Sequence, residues 1–171
     1  MKKLFIIAAV LLAACTAVNA ENTTRIGSEN RLDFGVYGGY STQQLAWYGL
    51  GFFDVNAANN NLRTRFSLGL AETFLKKGGK YHGINPAVAI DVQYLLPLFD
   101  GFYVYPFAGV WGEHYSAKTA HAITNKFGVE GGLGIEIQFS SSFGIFAQGQ
   151  YQYMFRDNGQ YGARAGVVMH F

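Results

Sequence analysis

The chain has few of the features that mark common folds. It has one cysteine, Cys15, among 171 residues. Beyond the first twenty residues no apolar run approaches the ~18 residues a spanning helix needs, so a helical membrane protein is excluded. Proline is scarce, with Pro86, Pro97 and Pro106 as the full set, and charged residues make up only 14% of the chain. The formal charge of +2 disappears once Lys2 and Lys3 are set aside, leaving eleven basic against eleven acidic residues. No basic excess points to nucleic acid as a partner.

Cys15 lies in a segment that reads as an address rather than as fold. Lys2 and Lys3 precede the apolar stretch Leu4–Ala14, and Val18-Asn19-Ala20 is a small-residue cleavage site before Glu21. Residues 1–20 are therefore read as a secretory signal peptide. Leu12-Ala13-Ala14-Cys15 also looks like a lipobox, in which Cys15 would become the acylated first residue; cleavage after Ala20 is the preferred reading. With that cleavage the mature chain has no thiol for a disulfide or a metal. No cofactor motif is present, and the histidines have no ligand spacing on one local element.

Against these absences stand 22 glycines and 16% aromatic residues. The last eleven residues show how they are used. Tyr161, Ala163, Ala165, Val167, Met169 and Phe171 fall on one face of a period-2 strand, and Gly162, Arg164, Gly166, Val168 and His170 on the other. About ten residues with one apolar and one charge-tolerant face match a tilted membrane-crossing strand.

The pattern repeats. Residues 21–30 are polar and aperiodic and are expected to form a periplasmic lead, with the barrel at 31–171. Strands are expected at about 31–40, 45–55, 62–75, 84–98, 102–115, 127–139, 143–155 and 161–171. The first has Leu32, Phe34, Val36 and Tyr40 outward. The second has the weakest register, since Trp47 and Phe53 oppose Tyr48 and Phe52. The fourth is the cleanest, with Ile84, Val88, Ile90, Val92 and Tyr94 against Asn85, Ala87, Ala89, Asp91 and Gln93. The fifth is read with Tyr103, Tyr105, Phe107 and Trp111 outward. The fold class is all-β: an eight-stranded antiparallel up-and-down transmembrane barrel, expected to be monomeric. An even strand number puts both termini on the periplasmic side, with turns at 56–61, 99–101 and 140–142; the loops 41–44, 76–83, 116–126 and 156–160 then face outside.

Tyr94-Leu95-Leu96-Pro97-Leu98-Phe99-Asp100-Gly101-Phe102-Tyr103-Val104-Tyr105-Pro106, Gly131-Gly132-Leu133-Gly134-Ile135-Glu136 and the terminal Phe171 resemble the small outer-membrane β-barrels of Gram-negative bacteria, the opacity-type and porin-like proteins. The resemblance implies a bacterial outer-membrane location and Phe171 as the signal read by the barrel-assembly machinery. It implies a role among adhesins, surface-stability proteins and narrow pores without choosing one.

Three constellations could carry chemistry. Asp33, Arg63, Arg65, Asp91, Glu130, Glu136 and Arg164 are expected to point into the lumen. Arg65 should face Asp91 across the 76–83 hairpin, and Glu130, Gln152 and Arg164 should share a depth. An eight-stranded interior is just wide enough for side chains to fill, so these charges are expected to pair and plug; a polar pathway for small solutes is the alternative. His114-Tyr115-Ser116 resembles the His-x-Ser element of lipid A deacylases, with Glu130 or Glu113 as the orienting carboxylate. With Trp111 outward, however, both residues would face the lumen, away from a lipid substrate. Finally, Lys76, Lys77, Lys80 and His82, and Lys118, His121 and Lys126, gather in loops 76–83 and 116–126. These could meet lipopolysaccharide phosphates; a solvated loop without a partner is the plainer reading. The function expected is non-enzymatic, structural or surface-interacting, in contact with outer-membrane lipid.

Overall fold

The computed structural model describes residues 32–42, 46–57, 61–74, 82–115, 124–155 and 159–171. Residues 1–20, read above as a signal peptide, the expected lead at 21–30 and most of loops 76–83 and 116–126 lie outside them. The strands are β1 (Leu32–Ser41), β2 (Ala46–Asn56), β3 (Leu62–Phe74), β4 (His82–Tyr94), β5 (Leu96–Phe99), β6 (Phe102–Tyr115), β7 (Thr124–Ser140), β8 (Phe143–Met154) and β9 (Gly159–His170). β5 continues β4 after a one-residue break at Leu95, so the nine strands make eight spans. Each pairs antiparallel with its neighbour, β4 with β6 across the break, and β1 with β9 closes the sheet on itself.

Closure leaves no free edge, and the strand ladders pair backbone polar groups around the whole ring, as a bilayer demands. Asp33 pairs with His170 in the β1–β9 register, so both chain ends lie at one rim, here called the terminal rim. The other is the loop rim.

The two faces are inverted relative to a water-soluble protein. Leu32, Phe34, Val36, Leu68, Leu70, Ile84, Val88, Ile90, Val92, Leu133 and Ile135 are exposed, while Asp33, Asp54, Arg63, Arg65, Asp91, Glu130, Glu136 and Arg164 are buried. Among the described side chains the exposed charge is Asp100, in the β5–β6 turn. Aromatic pairs mark the two rims. Phe34–Phe171, Phe53–Phe66 and Phe99–Phe102 lie toward the terminal rim at 5.8, 4.9 and 4.6 Å. Tyr40–Trp47 and Tyr151–Tyr161 lie toward the loop rim at 5.0 and 5.2 Å. Such girdles sit where a bilayer meets water.

The expected faces of the first, fourth and last spans match the burial pattern, and Arg63 and Arg65 of the third and Glu130 and Glu136 of the sixth are buried as expected. The expected fifth span does not. Tyr103, Tyr105, Phe107 and Trp111 are 0–5% exposed and point into the lumen. Its outward face is Phe102, Val104, Pro106, Ala108 and Val110. The reason is volume: an eight-stranded lumen must be filled, and β7 supplies room for rings with inward glycines. Tyr105 stands opposite Gly134, where an added Cβ would lie 2.4 Å from its ring. The same joint recurs at Phe52 over Gly35 and Tyr48 over Gly39. Gly35 is held hardest, since a Cβ there would also fall 2.1 Å from the Val167 carbonyl oxygen.

This inversion separates the two tryptophans, Trp47 at 62% exposure and Trp111 at 2%. In vesicles containing brominated lipid, the Trp111→Phe protein, which keeps Trp47, should lose much of its fluorescence. The Trp47→Phe protein should lose little. Comparable quenching of both would return Trp111 to the lipid face.

Candidate functional site

The lumen concentrates the polar chemistry, and three arginines organise it. Arg164, from β9, reaches across to two carboxylates. Its Nη2 donates to Asp91 Oδ2 at 2.7 Å and its Nη1 to Glu130 Oε1 at 3.1 Å, while its Nε donates to Gln148. Gln152 Nε2 donates to the other oxygen of Glu130 at 2.7 Å, and Gln160 and Ser41 extend the chain toward the loop rim. Glu130 and Gln152 stand opposite in register, but Arg164 stands opposite Gln148. The long guanidinium side chain closes the gap.

The second cluster lies nearer the terminal rim. Arg65 binds Asp54 in a bidentate fork, with both contacts at 2.8 Å. Arg63 donates to Glu136 at 2.7 Å and to Gln93 through two nitrogens, and its Nε is 3.4 Å from Asp54. At the rim itself His170 Nδ1 and Asp33 Oδ1 are 2.9 Å apart, and Asn56 donates to the second oxygen of Asp33. Fork geometry of this kind fixes orientation as well as charge.

Arg65 and Asp91 do stand opposite in the β3–β4 register, yet Arg65 takes Asp54 and Asp91 takes Arg164. Asp54 is the residue that sequence reasoning missed. Its signal was parity, because it shares a face with Tyr48 and Phe52 on the strand whose register was hardest to read. Aromatic rings pack the remaining space. The Arg65 guanidinium sits 3.8 Å from the Phe52 ring centre and 4.3 Å from that of Phe146. Arg164 lies between Tyr37 and Phe107 at 5.1 and 4.9 Å. A desolvated cation over a ring gains about 2 kcal/mol, so these rings stabilise the arginines as well as filling volume.

The His-x-Ser element loses its geometry. His114 is exposed on the outward face, while Glu113 points inward and accepts from Trp111 Nε1 at 2.8 Å. Glu130 is committed to Arg164 and Gln152. Neither carboxylate shares the face of His114, and Ser116 lies outside the described residues. Of the loop cations, Lys126 belongs to β7, half-buried and opposite Glu113 in register. His82 opens β4, and the other loop residues lie outside the described set.

No family model and no curated protein sequence matches the chain. Solved structures do match its fold. The N-terminal β-barrel domain of Pseudomonas aeruginosa OprF superposes with a TM-score of 0.64 at 17% identity, covering 82% of this chain and 96% of that one. This is the fold of the small outer-membrane β-barrels. Neisserial surface protein A gives 0.60 at 13% identity over 82% and 96%. Ail, the attachment invasion locus protein of Yersinia pestis, gives 0.54 at 12% over 81% and 95%. What these barrels share with the chain is architecture, the small eight-stranded outer-membrane barrel.

Proposed function

We propose that this chain is a non-enzymatic barrel of the bacterial outer membrane with a structural or surface-interaction role. In this reading its lumen network holds the barrel rigid and its outer loops, 76–83 and 116–126, meet lipopolysaccharide or a surface ligand. Phe171 serves as the assembly signal. The observation that carries the proposal is the state of the lumen. Asp54, Asp91, Glu130 and Glu136 are all tied to arginines, and aromatic rings stack on the Arg65 and Arg164 guanidinium groups. Those four carboxylates are committed to arginines rather than to a passing solute. Proteins with this fold include one named for attachment and invasion, which suits a loop-borne role.

The test is conductance. Protein refolded into micelles and verified by heat-dependent gel mobility should give no discrete steps in planar bilayers. Regular, ion-selective steps would replace this reading with that of a narrow channel. Incubating the same preparation with lipopolysaccharide should release no fatty acid; release would revive the hydrolase reading.

A further inference from the structure

All three prolines of the chain lie along one seam of the ring, Pro86 in β4, Pro97 in β5 and Pro106 in β6. The β4–β6 ladder runs from Ala87↔Glu113 to Gln93↔Phe107, seven register pairs. The ladders on either side of it are longer, with thirteen pairs between β3 and β4 and fourteen between β6 and β7. β5 resumes against β6 at Leu96↔Val104 in the same register, so the skipped positions are Tyr94 with Pro106 and Leu95 with Tyr105. The lapse is a gap in pairing, with no slip of register.

Backbone parity accounts for both ends of the short ladder. Leu95 N–H donates to Asn61 O, on the β3 side. Successive residues of a strand turn their backbone groups to opposite neighbours, so the even-numbered residues of β4 face β6. Pro86 falls on that parity, and Pro106 stands where Tyr94 would pair. A proline has no N–H to donate, and within sheets it is confined to edges and irregularities. A closed barrel has no edge, so these prolines mark the seam that comes nearest to one. The inward side chains of Asp91 and Gln93 bind away from it, to Arg164 of β9 and Arg63 of β3. The closing seam between β1 and β9 is built the other way. It keeps nine consecutive pairs, continues through Thr42 N–H to Tyr161 O and Phe171 N–H to Leu32 O, and is bridged by Asp33–His170 and Ser41–Gln160.

We infer that the barrel wall opens laterally between β4 and β6, a seam held at its centre and loose at both ends, rather than where the two ends of the chain meet. The centre is close-packed, since a Cβ at Gly109 would lie 2.2 Å from Asp91 Oδ1. Parting from the terminal end first uncovers the lumen cluster of Leu95, Tyr103, Tyr105 and Phe107. The groups met there by an acyl chain are rings and a leucine, which a bilayer tolerates better than the charges deeper in.

The experiment is amide hydrogen exchange on the full barrel in lipid nanodiscs, read residue by residue by NMR. Val92, Tyr94 and Ala108 should exchange about ten-fold faster than the paired amides of β1 and β9, as expected of a locally opening unit. Protection at β4–β6 equal to or above that at β1–β9 would overturn the inference. Pro106→Val supplies an N–H on a residue suited to strands and should slow exchange at Tyr94 about five-fold, the worth of one ladder bond. An unchanged rate at Tyr94 would also refute it. Pro86→Val makes the same test at the loop end, read at Val88, should the first variant fail to fold.

Discussion

Arg164→Ala should destabilise the folded barrel by about 3–5 kcal/mol, the range for removing one member of a buried ion pair. The loss should sit near the top of that range, because one guanidinium serves Asp91, Glu130 and Gln148 together. Two carboxylates would be left in a low-dielectric interior with no cation between them. Urea unfolding in vesicles, followed by heat-dependent mobility, reads the effect. A matched variant shows that the cost belongs to orphaned charge rather than to lost packing. Arg164→Met combined with Asp91→Asn and Glu130→Gln should recover much of the loss, since a buried ion network exchanged for neutral groups is often tolerated. A single mutant as stable as wild type would mean that the lumen is wet enough to solvate both carboxylates.

The second large effect concerns the other face. Ile90 is 45% exposed on the outward side of β4, between the inward Ala89 and Asp91. Ile90→Arg should weaken folding into bilayers by about 2–4 kcal/mol, the depth-dependent cost of a cation against acyl chains near the midplane. In detergent, where the belt adapts around a charge, the defect should shrink. The comparison of bilayer with micelle is the informative measurement. Equal folding of wild type and Ile90→Arg in vesicles would mean that β4 does not present this face to lipid.

The sequence was legible where the two faces differ in polarity and illegible where both are apolar. β4 alternates Val88, Ile90 and Val92 with Ala89, Asp91 and Gln93, and its orientation could be read directly. β6 offers Phe102, Val104, Ala108 and Val110 on one side and Tyr103, Tyr105, Phe107 and Trp111 on the other. Size suggested that the rings face lipid. The decisive cues were smaller: Glu113 shares the parity of the rings, and Gly128, Gly132 and Gly134 on β7 lie opposite Trp111, Phe107 and Tyr105. A glycine beside a ring on the next strand marks the crowded side of a narrow barrel, which is the inside. Parity alone put Arg63, Arg65, Asp91, Glu130, Glu136 and Arg164 on one face of their strands, but it missed Asp54 and Glu113 and gave no pairing. Arg65 has two register partners, Asp91 on β4 and Asp54 on β2, and it binds Asp54 while Arg164 takes Asp91.

The seam between β1 and β9 joins residues as far apart in the chain as Asp33 and His170, 137 positions. Contacts that distant are the slowest to form. A chain halted before β9 would expose two raw strand edges and would also leave Asp91 and Glu130 without their arginine. Closure and charge balance therefore arrive together, with the final strand.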